Sequence, residues 1–297
     1  MTSVVQARDV NGMTRRIGSP HPLSFEILRD PNGRCRAQSL SALIESEVIP
    51  RLVAAHVGDG RSVAPAGSTG AAIAQRDVDA LVPLSLQVEA DALIEHVEAI
   101  LARGVAVDSI LVDLLAPAAR LLGERWKEDR CDFIDVTMAL WRLQEVVHEV
   151  ATRHSPGPPA RDAGRLALFA SMPGDQHSFG TVVIDEVFRR EGWRTERMVG
   201  AETADLLRHA AGQWFDLIGL TVSCDCHIAT LGSIIVALRN VSHNPRVCVL
   251  VGGRVFGADP ALADRVGADG TARDARLALR LADSLVRARA REAAVCS

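Results

Sequence analysis

Residues 165–180 read RLALFASMPGDQHSFG. The opening run, Arg165–Ala170, is apolar and of strand length; the rest is a loop leading into a helix expected over 179–191. Downstream the same alternation repeats. Strands are expected at Arg194–Val199, Asp216–Ser223, Val247–Val251 and near Gly267–Ala272. Helices are expected over 202–212, 227–240, 259–265 and 273–291. Strands that alternate with helices argue for a parallel, doubly wound sheet. Right-handed crossovers cover both faces of such a sheet, which suits apolar strands such as LALFA and VCVLV.

Upstream, residues 155–163 (SPGPPARDA) form a linker that no helix crosses. Residues 76–154 have a helical pattern. Two helices are expected over 77–103 with a break near Pro83. A third starts with Asp108 as its N-cap, and a fourth starts at Asp132. In the fourth, Phe133, Val136, Leu140, Leu143, Val147 and Val150 recur at three- and four-residue steps, one apolar stripe of an amphipathic helix. Residues 1–75 are polar and rich in Gly, Ala, Pro and Ser; they read as a flexible segment and linker, with a short helix at Ser39–His56. The fold class is α plus α/β: a small helical-bundle cap, then a five-stranded parallel Rossmann/flavodoxin-like domain over 164–290 and a tail over 291–297.

The net charge of −4 gives no global basic field for nucleic acid, and aromatics are 4% with no Tyr, too few for base-stacking platforms. No run reaches the ~18 apolar residues of a membrane helix, and the N-terminus lacks an apolar signal core. A cytoplasmic protein with reduced cysteines is expected.

In doubly wound sheets the ligand lies beyond the carboxyl ends of the strands, where strand order switches. In a 2-1-3-4-5 order that place is between strands 1 and 3. The deciding loops are then SMPGDQHSFG, TVSCDC and GGRVFG. In the first, His177 can present an imidazole nitrogen to a metal, and Asp175, two residues earlier, can accept the other ring N–H. The alternative role for Asp175 is to cap the helix from 179. Gly180 permits close backbone approach, Ser223 offers a hydroxyl, and Gly252 and Gly253 leave a floor without side chains. No phosphate-binding GxGxxG or Walker pattern follows strand 1. Cys224, Cys226 and His227 lack the four ligands of a zinc site. Buried thiols are the expected reading, with a redox-active pair as the alternative.

Asp175, Gln176, His177, Ser178, Phe179 and Gly180 together match the D-x-H-x-x-G signature of base-off/His-on cobalamin domains. Forty-two residues (181–222) separate Gly180 from Ser223, and 26 (226–251) separate Asp225 from Gly252, the spacing of that family's serine and glycine pair. Asp225 stands where the family has Leu. The resemblance implies cobalamin as cofactor, with His177 as the cobalt axial ligand in place of the nucleotide base. It implies a nucleotide tail beside Thr221, Val222 and Ser223 and over Gly252 and Gly253. The helical segment resembles the caps that precede this fold, which makes Trp126 a lid over the corrin; the alternative is a core Trp at a helix end. In the light-sensing adenosylcobalamin repressors the lid Trp is followed by Glu-His, where this chain has Val136-Thr137. The hydroxo/aquo form is therefore favoured over adenosyl. His148, 11 residues beyond Thr137, is about 16 Å too far along the helix to replace that His; His21 in the tail remains open.

The segments WKEDRCDFIDVTMALWRLQEVVHE and FASMPGDQHSFG resemble the AerR/PpaA family of cobalamin-binding antirepressors. That implies a PpsR/CrtJ-type repressor as partner, photosynthesis genes as output, and no enzymatic activity. A stand-alone corrinoid carrier of methyl groups and a haem sensor on the same fold are the alternatives. No barrel domain for a methyl donor fits in the chain, and no helix-turn-helix offers direct DNA contact.

Overall fold

A computed structural model describes residues 71–155 and 164–295. The expected Ser39–His56 helix, His21 and most of the 155–163 linker lie outside the described residues.

Four helices come first: α1 (Gln75–Gln87), α2 (Ala90–Leu101), α3 (107–127) and α4 (Phe133–Arg153). Two boundaries differ from the sequence reading. The break falls at Val88–Glu89, and Pro83 lies inside α1. The carbonyl that its missing N–H would have met belongs to exposed Asp79, while buried Leu81, Val82 and Ser85 hold the helix to the core. α3 is capped at Ala106, and Asp108 lies in its first turn, where its carboxylate accepts from Arg190 Nε at 3.0 Å. One wide turn, Ile110–Leu115, interrupts α3, with the Ala116 N–H reaching back five residues to the Leu111 carbonyl. Pro117 follows at once; a wider turn relieves the clash its ring would otherwise make with the preceding turn. Asp132 caps α4 as expected: its Oδ1 accepts from the Asp135 N–H at 2.7 Å, and Asp135 returns the favour.

The α/β part runs β1 (Leu166–Ser171), α5 (Phe179–Arg190), β2 (Arg194–Met198), α6 (Thr203–Ala210), β3 (Leu217–Thr221), α7 (Ile228–Val241), β4 (Cys248–Gly252), α8 (Arg254–Ala258), α9 (Leu262–Arg265), β5 (Gly270–Thr271) and α10 (Ala275–Val295). The sheet is parallel in the order β2-β1-β3-β4-β5, so β1 and β3 are neighbours across the switch point. β1 is buried along its whole length. Gly219 of β3 leaves room for Phe169 of β1, since a Cβ there would fall 2.7 Å from that ring. Phe169 in turn meets Phe188 edge-on at 4.8 Å. The helix expected over 259–265 is two short ones divided around Pro260, and α10 starts after Asp274, whose carboxylate accepts the Leu277 N–H at 2.8 Å.

The helical part and the sheet share apolar packing. Val183 and Val187 of α5 belong to the same buried cluster as Leu111, Leu115, Leu143 and Val147, with Phe179 and Val182 against its edge. Two arginines tie the same joint: Arg190 to Asp108 and to the His154 carbonyl, and Arg276 to Asp113, the Asp108 carbonyl and Ser109 Oγ. Apart from the His154 carbonyl, which ends α4, these anchors grip the N-terminal end of α3. Trp126 lies 13 residues beyond Asp113, about 20 Å along the helix.

Candidate functional site

The loop after β1 is built by a tight turn. The Asp175 N–H donates to the Met172 carbonyl at 2.8 Å, and Gly174 has φ +84°. Pro173 at the second position and Gly174 at the third are what a type II turn requires. Met172 still pairs with β3 through the Thr221 carbonyl, so the turn is fixed on the sheet edge. It folds Asp175 inward, where the residue is 3% exposed.

Asp175 is the organising group. Its Oδ1 accepts the His177 backbone N–H at 3.0 Å and meets His177 Nδ1 at 2.6 Å, while its Oδ2 accepts the Ser223 N–H at 2.7 Å. Burial alone would push its carboxyl up. The two backbone N–H groups and the imidazole overcome that and hold it below the usual carboxylate range. An ionised carboxylate only accepts, so Nδ1 carries a proton, and in the neutral ring Nε2 keeps a free lone pair. The His177 side chain is 65% exposed, and Ser171 Oγ donates to its carbonyl at 3.1 Å. Of the two roles open to Asp175, it takes histidine orientation: the cap position of α5 is Ser178, with no side-chain cap bond.

The loops after β3 and β4 close the other side. Val222 is fully buried and its carbonyl lies where a Cβ on Gly253 would come, at 2.4 Å; Gly253 has φ +102°, so only glycine fits. Gly252 and Gly180 carry no such demand, with nearest neighbours at 4.0 Å from a Cβ. Thr221 turns its hydroxyl to the Ala170 carbonyl, at 3.4 Å. The Ser223 carbonyl accepts from Arg254 Nε at 3.1 Å, and Arg254 also faces Asp225 at 3.7 Å, which gives Asp225 a polar partner. Gln176 is exposed; Ser178 and Phe179 are half-buried. The structure thus brings Asp175, His177, Ser223 and Gly253 together at the switch point.

Trp126 belongs to a second cluster, on the cap. It is 42% exposed, so it is not a core residue. Its helix ends in two bonds of a Schellman type, Asp129 N–H to the Trp126 carbonyl and Arg130 N–H to the Arg125 carbonyl, with Asp129 at φ +53°. Phe133 lies 6.4 Å from its ring. The sequence reading placed Phe133 in the buried stripe of α4, but it is exposed, as are Ile134, Met138 and Trp141. α4 is apolar on two sides over its first half. The signal was the second series 134, 138, 141 at four- and three-residue steps. Trp141 faces Val182 of α5 across a cleft of about 530 Å³, which also holds Glu145 and His148. Thr137 bonds back to the Phe133 carbonyl at 2.7 Å.

Cys224 and Cys226 are joined as a disulfide, with Cys226 exposed, which replaces the expectation of buried thiols. Among the described residues, no group of three or more His, Cys, Asp or Glu gathers to hold a metal. A single outward imidazole suits a metal that arrives already chelated. Exposed Trp126 and Phe133 on the cap offer apolar surface to a broad ring, so these residues fit a corrinoid.

Comparison with known proteins agrees. The B12 binding domain family matches residues 165–280. A Rhodobacter capsulatus protein described as an uncharacterized 20.5 kDa protein in the bchF-crtJ intergenic region is 28% identical over 175 residues, covering 59% of this chain and 91% of its own. The monomethylamine corrinoid protein of Methanosarcina barkeri superposes with a TM-score of 0.58 at 19% identity, over 70% of this chain and 97% of that one, and so has the same fold. The α/β part is thus similar to B12-binding domains. No helix among the described residues is long and apolar enough to cross a membrane.

Proposed function

We propose that the chain is a cobalamin-dependent regulator, not an enzyme, which acts in the cytoplasm on a PpsR/CrtJ-type repressor and so on photosynthesis genes. The observation that carries the cofactor assignment is the Asp175–His177 pair: a buried carboxylate that fixes the ring and leaves Nε2 facing outward. The family match over 165–280 supports it. The regulatory assignment draws on the relative whose description places it in the bchF-crtJ intergenic region.

Cobalamin, when bound, would supply a cobalt that exchanges ligands. His177 would hold it through Nε2. Ser223 and the Gly252–Gly253 floor would receive the nucleotide tail. Trp126, Phe133 and Trp141 would cover the other face. The Thr137 hydroxyl is turned onto its own helix, so Thr137 offers no ligand there, which supports the hydroxo or aquo form of the cofactor. Because Arg190 and Arg276 fasten the near end of α3, the part free to respond is the Trp126 end and the 128–132 turn. A ligand that favours one arrangement of that end shifts its population, and the repressor reads the difference.

The test is hydroxocobalamin titration by absorbance, with repressor binding measured with and without cofactor. Wild type is expected to bind with the nucleotide base off cobalt. His177→Ala is expected to leave the base on and to lose cobalamin-dependent repressor binding. Repressor affinity indifferent to cobalamin would sink the regulatory reading. The fold shared with a corrinoid protein keeps a second reading, a methyl-group carrier, which predicts turnover when a methyl donor enzyme is supplied.

A further inference from the structure

We infer that Cys224 and Cys226 form a reversible disulfide/dithiol site whose redox state sets how firmly Asp175 holds His177. The inference rests on the cobalamin-ligand reading of His177. The two sulfurs are joined across a single intervening residue, immediately after Ser223. The Ser223 N–H is one of the three donors on Asp175, so the path from the sulfur pair to the imidazole is one peptide unit and two hydrogen bonds. A second contact links the same segments: His227 Cε1 lies 3.4 Å from where a Cβ on Gly174 would be, inside the turn that aims Asp175.

The pair is built for exchange more than for support. A cross-link stabilises a fold through the loop it closes, and here that loop is the shortest possible but one, so its contribution is small. Cys226 is exposed and open to attack, while Cys224 Sγ accepts the Cys226 N–H at 3.2 Å, which eases its departure as a thiolate. The other two cysteines among the described residues are unsuited: Cys131 is half-buried and alone, and burial pushes the Cys248 thiol up to about 12.

The partner is a dithiol reductant of the thioredoxin class. One of its thiolates attacks Cys226 Sγ, the S–S bond breaks, and Cys224 leaves as a thiolate and takes a proton. Its second thiolate then attacks the mixed disulfide, releasing Cys226 as a thiol and the reductant as its own disulfide. Two electrons and two protons pass to the pair; a disulfide oxidant such as oxidised glutathione reverses both. Opening the link frees the 223–227 segment and loosens the Ser223 N–H from Asp175.

The experiment uses the full chain equilibrated in dithiothreitol or glutathione buffers of graded potential, with alkylation and mass mapping of each cysteine. One cooperative two-electron transition is expected on the peptide holding Cys224 and Cys226. Cysteines that alkylate independently, or that never link, would overturn the inference. Hydroxocobalamin is then titrated into both states. Affinity about tenfold weaker, with less base-off spectrum, is expected after reduction. The exposed-site variant Cys226→Ser should show the reduced behaviour at every potential. Identical affinity and spectra in both states overturn the coupling although the mapped transition stands. A base-on spectrum in both states removes His177 as ligand, and the coupling with it, and the thiol mapping tells that failure apart from failure of the redox site.

Discussion

Two buried aspartates close opposite ends of the sheet, and they differ in what they hold. Asp269, at the amino end of β4, accepts the Val249 N–H at 2.6 Å and pairs with Arg289 at 2.5 Å and Arg239 at 2.8 Å. Asp175, at the carboxyl end of β1, accepts two backbone N–H groups and one imidazole. Both carboxylates are nearly free of solvent. Around Asp269 every side-chain partner is a permanent cation with nothing left over to offer a ligand. Around Asp175 the side-chain partner is a solvent-facing ring that keeps an unused nitrogen. A buried carboxylate surrounded by arginines marks structure; one that spends itself orienting an exposed histidine marks a site.

Replacing each in turn breaks or sharpens the contrast. Asp269→Ala strands Arg289 and the half-exposed Arg239, and is expected to destabilise the chain by about 3 kcal/mol, read as a lowered urea midpoint. Cobalamin affinity of the folded fraction should not change. Asp175→Asn keeps the shape and removes the charge. It is expected to weaken cobalamin binding about 10- to 100-fold. Its stability cost should be about 1–3 kcal/mol, because the amide oxygen can accept from only one of the two backbone N–H groups and the NH2 then faces the other. An Asp175→Asn protein that unfolds as readily as Asp269→Ala but binds cofactor normally would erase the distinction between the two ends.

Much of this was legible in the chain itself. Alternating apolar strands and helices give the parallel sheet because local pattern and crossover handedness leave few other solutions, and Asp175-x-His177 falls at the switch point for the same reason. The contact from the Ser223 N–H was not legible, since it joins residues 48 apart and no local rule aims a backbone N–H. Pro83 misled because the carbonyl it frees is open to solvent and the packing of Leu81, Val82 and Ser85 holds the helix through it. The link between Cys224 and Cys226 was legible only as the alternative of a redox-active pair, because an expectation about compartment says nothing about geometry. The exposed series Ile134, Met138 and Trp141 was written in the spacing, but one apolar stripe had already been assigned to α4 and a second face went unsought.

The cap offers a milder version of the Asp269 case. Asp77 meets Arg103 at 2.9 Å and accepts the Ala74 N–H, and the Arg103 guanidinium beside it holds its carboxyl down to about 2. A depressed carboxylate stabilises above its ordinary range near 3.8 and loses that contribution as pH falls through about 2. Arg103 is partly exposed, so solvent reduces the effect to about 1 kcal/mol. Wild type should therefore exceed Asp77→Asn in urea midpoint by a constant margin from pH 7 to about 4. That margin should shrink through pH 3 and close near pH 2. A margin independent of pH would mean that shape, not charge, is what Asp77 contributes.

Asp129 completes the series as an aspartate that acts through its backbone alone. It ends α3 at φ +53°, a conformation that costs an L side chain and costs glycine nothing. Its carboxylate has no ion pair or hydrogen bond among the described residues, so nothing offsets the strain. Asp129→Gly is expected to raise the unfolding free energy by about 0.5–1 kcal/mol, and Asp129→Val to lower it by more, both read from urea unfolding. The turn also fixes the end of the helix that carries Trp126, so the variant separates two contributions to the cap. If the lid needs only a well-ended helix, cofactor affinity should hold or rise as the turn relaxes. If affinity falls while stability rises, the strained turn is itself part of how Trp126 is presented, and the cap's free end resembles the Asp175 loop more than the Asp269 anchor.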